Sequence, residues 1–178
     1  MRFWTIRHPP VDRKGRCIGQ TAVETTMSVA EAIKVVQANA PIQPDRIFSS
    51  DLPRCSELAK GLAVYWSCPI ILVPEIREMH FGEWEGRSYD DLYREDGERW
   101  QQWCNNWQTQ APPSGESMEQ FTQRVKGWLD DQTFDLPTLL VTHAGVRRVL
   151  QVLAGDSWER AMNTEHPYLS WKSHTIVL

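Results

Sequence analysis

The feature of this sequence that most constrains its fold is the alternation of strand-like and helix-like segments. Arg2–Arg7, Arg46–Ser50 and Thr138–Thr142 are short and rich in aromatic, aliphatic or β-branched residues, which is typical of strands. After each of them, apolar residues recur at the spacing of an amphipathic helix. This order predicts an α/β domain in three layers, α/β/α, with a mostly parallel central sheet covered by helices on both faces.

Helix starts are predicted from capping residues. Ser28 and Glu31 form a capping box in front of an apolar periodic run, and Ser117 caps a later helix. Asp51 is expected to be the N-cap of a helix between these two, with Tyr65 on its inward face.

Three further segments complete the predicted architecture. Pro69–Ile76 is apolar but contains Pro74, so it is expected to be an edge strand or an irregular strand. Residues 80–115 are polar and rich in tryptophan, and predict a small helical cap insertion with a loop over one face. Ser170–Leu178 is expected to be the last strand. Because no composition break divides the chain, residues 1–178 are predicted to form a single domain.

Charge and cysteine content restrict the classes of partner and compartment. Nineteen basic and 23 acidic residues give a formal charge of −4, whereas nucleic-acid and anionic-membrane binding favour a basic surface. The longest apolar runs are strand-sized, and the first residues lack the apolar stretch of a signal peptide. The four cysteines form no C-x-x-C pair. We therefore expect a cytoplasmic protein in a reducing setting that binds neither nucleic acid nor membrane, with its oligomeric state open.

Polar side chains follow the predicted strands at the points where the strands end. Arg7 and His8 end the first strand, Arg54 comes shortly after the second, and His143 follows the most apolar one. Glu78 follows the apolar run that contains Pro74. Because ligands of open α/β sheets bind beyond the carboxyl ends of the strands, these five residues are expected to form one site.

These residue types suit phosphoryl transfer. A neutral histidine is a competent nucleophile near pH 7, and two guanidinium groups can hold phosphate oxygens and the charge of the transition state. A second histidine can donate to the same oxygens, and a carboxyl group can protonate the leaving alkoxide and then accept a proton from water. We expect no metal and no cofactor, because the arginines supply the positive charge.

Five blocks of the sequence, in order, resemble those of a known family, the histidine phosphatases or phosphoglycerate-mutase-like superfamily. They cover nearly the whole chain and are Arg7-His8 after a strand, Ser49–Arg54, Arg77–Gly86, Gly115–Ser117 before a helix, and Thr142–Gly145. The resemblance implies a phosphohistidine on His8, a proton donor in Glu78 and a phosphate pocket made of Arg7, Arg54 and His143. The implied activity is metal-independent hydrolysis of a small phosphate monoester in two steps.

A finer resemblance concerns the segment Gly15–Thr21, which is similar to a segment of the α-ribazole phosphatase-like branch. Members of that branch remove the 5′-phosphate from α-ribazole phosphate late in cobalamin assembly. The resemblance makes Arg16, Gly19 and Gln20 candidate substrate contacts, with a solvated loop as the alternative for Arg16. The sequence departs from the family at Pro9, where glycine is usual, so one backbone N–H that could donate to phosphate is missing.

Two other functions remain open at this stage. Within enzymes, the alternative is a phosphoglycerate mutase or a broad-specificity phosphatase, and the short chain favours a phosphatase. From another class, the same fold could serve as a catalytically silent module that only binds phosphate, although no catalytic residue of the family pattern is missing.

Several motifs have an ordinary structural interpretation beside a functional one. Glu78, His80, Glu83 and Glu85 could ligate a metal, but a charged loop is the ordinary interpretation. Arg147 and Arg148 are expected on a surface face of a helix, and His80, His166 and His174 receive no role. The stripe of Trp100, Trp103 and Trp107 either packs a helix onto the domain or offers a wall on which a planar base can stack.

Overall fold

A computed structural model of the chain describes residues 1–176 and contains one five-stranded sheet. The strands are β1 (Arg2–Arg7), β2 (Arg46–Ser49), β3 (Ile70–Leu72), β4 (Thr138–Thr142) and β5 (Trp171–Thr175). Their order in the sheet is β3-β2-β4-β1-β5. The first four strands in this order are parallel to one another, and β5 runs antiparallel to β1 at one edge.

Helices cover both faces of the sheet, which confirms the predicted three-layer fold. The α-helices are α1 (Val29–Ala38), α2 (Pro53–Trp66), α3 (Tyr89–Asn106), α4 (Met118–Asp130), α5 (Ala144–Leu153) and α6 (Trp158–Asn163), and single 3-10 turns cover Pro74–Ile76 and Gly82–Trp84. The apolar residues of α1 and α2 pack with Ile6, Ile47 and Leu139 of the sheet on one face. Those of α4 and α5 pack with Phe3 and Leu140 on the other.

The capping residues of α1 and α4 are as predicted, but those of α2 are not. Both Ser28 and Ser117 accept from the third backbone N–H of their helix and complete capping boxes. The N-cap of α2 is Leu52, which makes no side-chain cap. Asp51 instead accepts hydrogen bonds from Arg77, which lies 26 residues further along the chain, so a tertiary ion pair replaces the predicted cap. Tyr65 is 55% exposed, and its predicted inward position is wrong.

The strands at the two edges of the sheet, β3 and β5, are the ones that the sequence predicted as an edge or irregular strand and as the last strand. In the part of the chain that the structure describes, β3 pairs only with β2, so it is an edge strand, and Pro74 begins the 3-10 turn that follows it. The predicted last strand is present as β5, while positions 177–178 of that prediction lie outside the described residues. None of the helices within residues 1–176 is long and apolar enough to cross a membrane.

The predicted helical segment within residues 80–115 is present as α3. A small apolar cluster of Cys17, Trp84 and Leu92 anchors this helix beside the sheet domain. The backbone of Asp96 leaves the helical conformation and kinks α3, and its carboxylate accepts a 2.7 Å hydrogen bond from the indole of Trp84. The kink therefore lies where the helix is attached.

Candidate active site

His8 and His143 lie side by side because β1 and β4 are neighbouring parallel strands. Arg7 is paired in register with Thr142, and the backbone N–H of His8 donates to the Thr142 carbonyl at 3.0 Å. The residue after each strand is a histidine, and the centroids of the two imidazole rings are 5.2 Å apart. The structure therefore brings the two predicted histidines together at the carboxyl end of the sheet, where α/β folds bind ligands.

The orientation of His8 is fixed by the residue that departs from the family pattern. Nδ1 of His8 donates to the carbonyl of Pro9 at 2.7 Å. Because a carbonyl can only accept, the neutral ring carries its proton on Nδ1 and keeps a lone pair on Nε2. Burial, together with the positive charges of Arg54 and Arg7, lowers the pKa of His8 to about 3. The ring is thus neutral at physiological pH, as a nucleophile must be.

His143 is more deeply enclosed than His8. Its ring has no exposed surface, and Nε2 lies 2.9 Å from the hydroxyl of Ser50, which follows β2. The thiol of Cys55 is a second neighbour, 3.4 Å from the same nitrogen. Burial, His8 and Arg54 hold the pKa of His143 well below its ordinary value. His143 is therefore a neutral ring in contact with Ser50, Cys55 and the ring of His8.

Two guanidinium groups flank His8. Arg7, the last residue of β1, donates from Nη1 to the carbonyl of His166 at 2.8 Å and stacks on the ring of Tyr168, 3.7 Å from its centroid. Arg54, in the first turn of α2, donates to the carbonyls of Gly19 and Thr21. A guanidinium carries five N–H groups, so both arginines keep donors for phosphate oxygens.

The carboxylate of Glu78 is held against the start of α5. The backbone N–H of Gly145 donates to Oε2 and that of Met79 donates to Oε1, both at 3.1 Å. The chain before Glu78 is tied to the sheet, because the hydroxyl of Thr142 donates to the carbonyl of Ile76 at 2.9 Å. The third predicted strand end thus delivers its carboxylate to the same edge as His8.

Glu85 organises the loop that supports Arg54. Its carboxylate accepts the backbone N–H groups of Gly19, Gln20 and Thr21, the hydroxyl of Thr21 and the N–H of Phe81. Burial alone would raise the pKa of this carboxyl group, but the hydrogen bonds outweigh it and hold the pKa below its usual value. Glu85 is therefore a loop-ordering residue.

The other members of the acidic stretch are also engaged with protein groups. Glu83 accepts from the hydroxyl of Ser114 at 3.1 Å and pairs with Arg99. Within residues 1–176, no three His, Cys, Asp or Glu side chains are grouped as a metal ion would require. The charged-loop interpretation of the segment 78–85 is the one that this geometry favours.

A cavity of about 400 Å³ opens beside His8. Four of the five predicted catalytic residues line it, namely Arg7, His8, Arg54 and Glu78. The fifth, His143, is not part of the lining, and its ring packs beside that of His8. The rest of the lining is mainly aromatic and sulfur-containing: Met79, Phe81, Trp103, Cys104, Trp107, Met118, Phe121, Trp158, Met162 and Tyr168. Such a volume with a few polar groups on an apolar wall is typical of a small-molecule site.

The three predicted substrate contacts of the Gly15–Thr21 segment do not line this cavity. The backbone of Arg16 forms an isolated antiparallel β-bridge with that of Ser88, in the loop before α3. A Cβ on Gly19 would lie 2.1 Å from the carbonyl oxygen of Met79, so this glycine permits two loops to touch. The side chain of Gln20 donates to the carbonyl of Glu78 at 3.1 Å. All three support the site from outside the cavity.

Three polar residues of the lining were among those not anticipated, and Arg147 was wrongly expected on the surface. Arg13, Arg148 and Tyr168 line the cavity. Arg148 follows Ala144 and Gly145 at helical spacing, so the pattern i, i+3, i+4 could have pointed to it. Arg147 is only 2% exposed, because its guanidinium donates to the carbonyl and hydroxyl of Ser170 across the start of β5.

The tryptophan stripe of α3 divides between packing and the cavity. Trp100 packs edge-to-face on Trp84, with centroids 5.1 Å apart. Trp103 touches Trp84 and also lines the cavity. Trp107 lines the cavity and meets Trp158 edge-to-face at 5.9 Å. The first half of the stripe therefore anchors the helix, and the second half walls the site.

Comparison with known proteins places this geometry in context. The adenosylcobalamin/alpha-ribazole phosphatase of Salmonella typhimurium strain LT2 is 32% identical over 171 residues, covering 89% of this chain and 84% of its own. A probable phosphoglycerate mutase of Cronobacter sakazakii is 35% identical over 151 residues, covering 80% and 69%. The crystal structure of the alpha-ribazole phosphatase from Shigella flexneri superimposes with a TM-score of 0.85 at 28% identity, covering 97% of this chain and 89% of that one.

The sequence model of one family matches almost the whole chain. This family is described as the histidine phosphatase superfamily, branch 1, and its model spans residues 3–176. That span includes each of the blocks that carried the resemblance, from Arg7-His8 to Thr142–Gly145. The chain therefore belongs to the histidine phosphatase superfamily.

Proposed function

We propose that this protein hydrolyses a small phosphate monoester whose alcohol carries a planar aromatic group, with α-ribazole 5′-phosphate as the substrate. The observation that carries the proposal is that two sets of residues line the same cavity. The first set is Arg7, His8, Arg54 and Glu78, and the second is an aromatic wall that contains Trp103, Trp107 and Trp158. The first set fits a phosphate, and the second offers ring faces and edges to a planar base. Relatives named adenosylcobalamin/alpha-ribazole phosphatase support this choice.

The first chemical step transfers the phosphoryl group to His8. The lone pair on Nε2 attacks phosphorus, and the bond from phosphorus to the ester oxygen breaks. Arg7 and Arg54 hold the phosphoryl oxygens while their charge spreads. His143 does not line the cavity, so its part in this step is to pack against the ring of His8. Glu78, in its protonated form, gives its proton to the departing oxygen, so that a neutral alcohol leaves.

The second step returns the enzyme to its starting state. Glu78, now a carboxylate, accepts a proton from a water molecule as the water oxygen attacks phosphorus. The bond from phosphorus to Nε2 breaks, inorganic phosphate leaves, and Glu78 is protonated again. The free cavity volume beside His8 leaves room for this water once the alcohol has departed.

The proposed setting is the cytoplasm, without nucleic-acid or membrane partners. All four cysteines, Cys17, Cys55, Cys68 and Cys104, are free thiols, which suits a reducing compartment. The formal charge of −4 disfavours polyanion binding. The cationic groups that line the cavity, including Arg13 and Arg148, serve a local anion instead.

Replacement of the nucleophile tests the chemistry. His8→Ala is expected to abolish turnover, because no other lining residue is an imidazole. Labelled substrate should leave an acid-labile, alkali-stable phosphoryl group on the unmodified protein and none on the variant. His80→Ala is the matched control, since its imidazole is not part of the cavity lining. The proposal would be contradicted if His8→Ala kept more than a few per cent of the activity, or if the unmodified protein showed neither turnover nor a phosphoryl label.

A substrate series tests the aromatic wall. We expect a higher kcat/KM for α-ribazole 5′-phosphate than for ribose 5-phosphate, which lacks the base. Trp107→Ala and Trp158→Ala should raise KM for the first substrate about tenfold, as expected when an aromatic contact is lost, and leave the second unchanged. Equal effects on both substrates would argue against base stacking. Release of 2-phosphoglycerate from 3-phosphoglycerate would indicate a mutase instead.

A further inference from the structure

The segment that carries Glu78 lies outside the regular secondary structure. The 3-10 turn Pro74–Ile76 ends two residues before it, and the next turn begins at Gly82. Backbone carbonyls in such a segment have no helix or strand partners and need donors from elsewhere. The position of the Glu78 carboxylate therefore depends on whatever satisfies the carbonyls around it.

Arg124, on α4, supplies donors to three of these carbonyls, while Gln20 and Thr142 each donate to one in the segment. Its Nη1 donates to the carbonyl of Glu75 at 2.6 Å and to that of Arg77 at 3.3 Å. Its Nη2 donates to the carbonyl of Glu78 itself at 3.3 Å. One planar guanidinium thus binds three carbonyls of the four-residue stretch that ends at Glu78, a task that its fixed fork of N–H groups suits.

Glu116 holds Arg124 in this orientation and extends the contact past Glu78. Its carboxylate accepts from Nε of Arg124 at 3.1 Å and also from Nη2. The same carboxylate accepts the backbone N–H of His80 at 2.8 Å. The side chains of Arg124 and Glu116 are 24% and 15% exposed, so solvent and salt screen this pair less than a surface pair.

From these contacts we propose that Arg124, oriented by Glu116, is a positioning residue that fixes Glu78 for proton transfer. The pair binds the chain on both sides of Glu78, and the start of α5 then holds its carboxylate at Gly145. The inference rests on the proposed role of Glu78 as the proton donor. Arg124 is not part of the cavity lining, so it acts through Glu78 and not on the substrate.

Leaving-group dependence separates this role from a general loss of structure. Arg124→Met keeps an apolar side chain of similar length and removes all the donors. Its kcat/KM for an alkyl phosphate should fall about 10- to 100-fold, because a misplaced acid cannot protonate a poor leaving group. Its kcat/KM for p-nitrophenyl phosphate should change little, because that leaving group needs no proton. Arg124→Lys should recover only part of the loss, since one ammonium cannot reach three carbonyls.

Lys126→Met is the matched control on the same helix. Within the described residues, Lys126 pairs only with Asp130, one turn further along α4. This variant should retain full activity on both substrates. Circular dichroism and thermal unfolding should show that each variant folds. If Arg124→Met does not fold, Glu116→Gln provides the same test, because it weakens the pair while keeping the size of the side chain.

A double variant distinguishes failure of the inference from failure of the proposed function. If Glu78→Gln lowers kcat/KM only for the alkyl phosphate, and Arg124→Met adds nothing in that background, the positioning role is supported. Equal losses on both substrates in Arg124→Met, no loss at all, or a further loss beside Glu78→Gln would overturn it. If Glu78→Gln itself shows no leaving-group dependence, the proposed proton donor is wrong, and the positioning role falls with it.

Discussion

At the scale of single residues, the cations around His8 have two effects. Arg7 and Arg54 provide donors for a phosphate, and together with burial they also make a proton on the imidazole unfavourable. The Pro9 carbonyl meanwhile holds the proton of the neutral ring on Nδ1. The groups that recognise an anion therefore also keep the ring neutral and its Nε2 lone pair free. An isolated histidine with its ordinary pKa of about 6.5 would be partly protonated near pH 6.

A pH titration of His8 tests this arrangement. Its imidazole should remain neutral from pH 8 down to pH 5, because its pKa lies near 3. Imidazole nitrogen shifts, assigned by comparison with His8→Ala, would follow the protonation. Arg54→Met should raise the pKa of His8, since it removes the largest unfavourable charge. A transition near pH 6.5 in the unmodified protein, or no change in the variant, would contradict this account.

The residues of the site were recoverable from the sequence only where strand order dictates their position. His8 and His143 each follow a strand of a parallel sheet, so their convergence could be predicted. Tyr168 stacks on Arg7 but lies in the turn before β5, where no periodicity or spacing marks it. Gln20 was expected at the substrate, yet it donates to the Glu78 carbonyl, a contact between residues 58 positions apart. Such loop-to-loop contacts leave no local pattern.

At the scale of elements, the first turn of α5 forms the floor for Glu78. The N–H of Gly145 donates to the carboxylate, and a Cβ at position 145 would lie 2.0 Å from Oε1 of Glu78. Only glycine lets the carboxylate approach the helix this closely. The obstructed atom is the end of a flexible side chain, so a larger residue would move the carboxylate and leave the helix in place.

Gly145→Ala should therefore reduce activity and leave stability nearly unchanged. We expect kcat/KM for an alkyl phosphate to fall at least tenfold, because small displacements of a catalytic group are costly. Thermal unfolding should shift by only a few degrees. Gly127→Ala in α4 is the control: its Cβ would meet no atom within 4 Å, so activity should persist and stability should rise slightly. A large loss of stability in Gly145→Ala would show that the Glu78 carboxylate cannot move aside, and would contradict this prediction.

Local sequence predicted the elements well and their tertiary partners poorly. Ser28 and Ser117 cap helices through residues three positions away, and both were found. Asp51 is of a residue type that is favoured at N-caps, but it pairs with Arg77, whose side chain reaches it from the segment after the first 3-10 turn. This pair lowers the pKa of Asp51 and raises that of Arg77. A competing charge from a distant segment decides such positions, and capping rules cannot detect it.

At the scale of the whole molecule, buried histidines couple stability to pH. His8, His143, His166 and His174 are all at most 5% exposed, and burial is the main cause that lowers the pKa of each. In the unfolded chain these rings bind protons near pH 6.5. In the folded chain, His8, His166 and His174 bind them only near pH 3. The contribution of these rings to the free energy of unfolding is therefore fully present above pH 6.5 and is lost as the pH falls toward 3.

The loss should be steep enough to unfold the protein in mild acid. Each ring lowers the free energy of unfolding by about 1.4 kcal/mol per pH unit below pH 6.5, so the three rings with a pKa of about 3 together give about 4 kcal/mol per unit. The lowered pKa of His143 adds to the loss in the same direction. A domain of ordinary stability, about 5–15 kcal/mol, would unfold between about pH 5 and pH 3. Denaturant unfolding measured from pH 8 to pH 4.5 should show this slope, and a flat profile would contradict it.

His166 allows the contribution of one ring to be removed separately. Neither of its ring nitrogens has a hydrogen-bond partner within residues 1–176, and burial and Arg147 lower its pKa to about 3. His166→Phe should therefore keep or slightly raise stability at pH 8, because an unpaired polar ring is replaced by an apolar one. Its free energy of unfolding should fall with pH by about 1.4 kcal/mol per unit less than that of the unmodified protein.

His174→Phe supplies the contrast for this last measurement. Nε2 of His174 lies 3.0 Å from the buried hydroxyl of Thr5, so its removal leaves that hydroxyl unpaired. This variant should lose about 1–3 kcal/mol at pH 8, yet show the same reduced slope in acid as His166→Phe. An unchanged slope in both variants would mean that the acid sensitivity comes from carboxyl groups such as Asp51 and Glu85, whose lowered pKa values also cost stability as they become protonated.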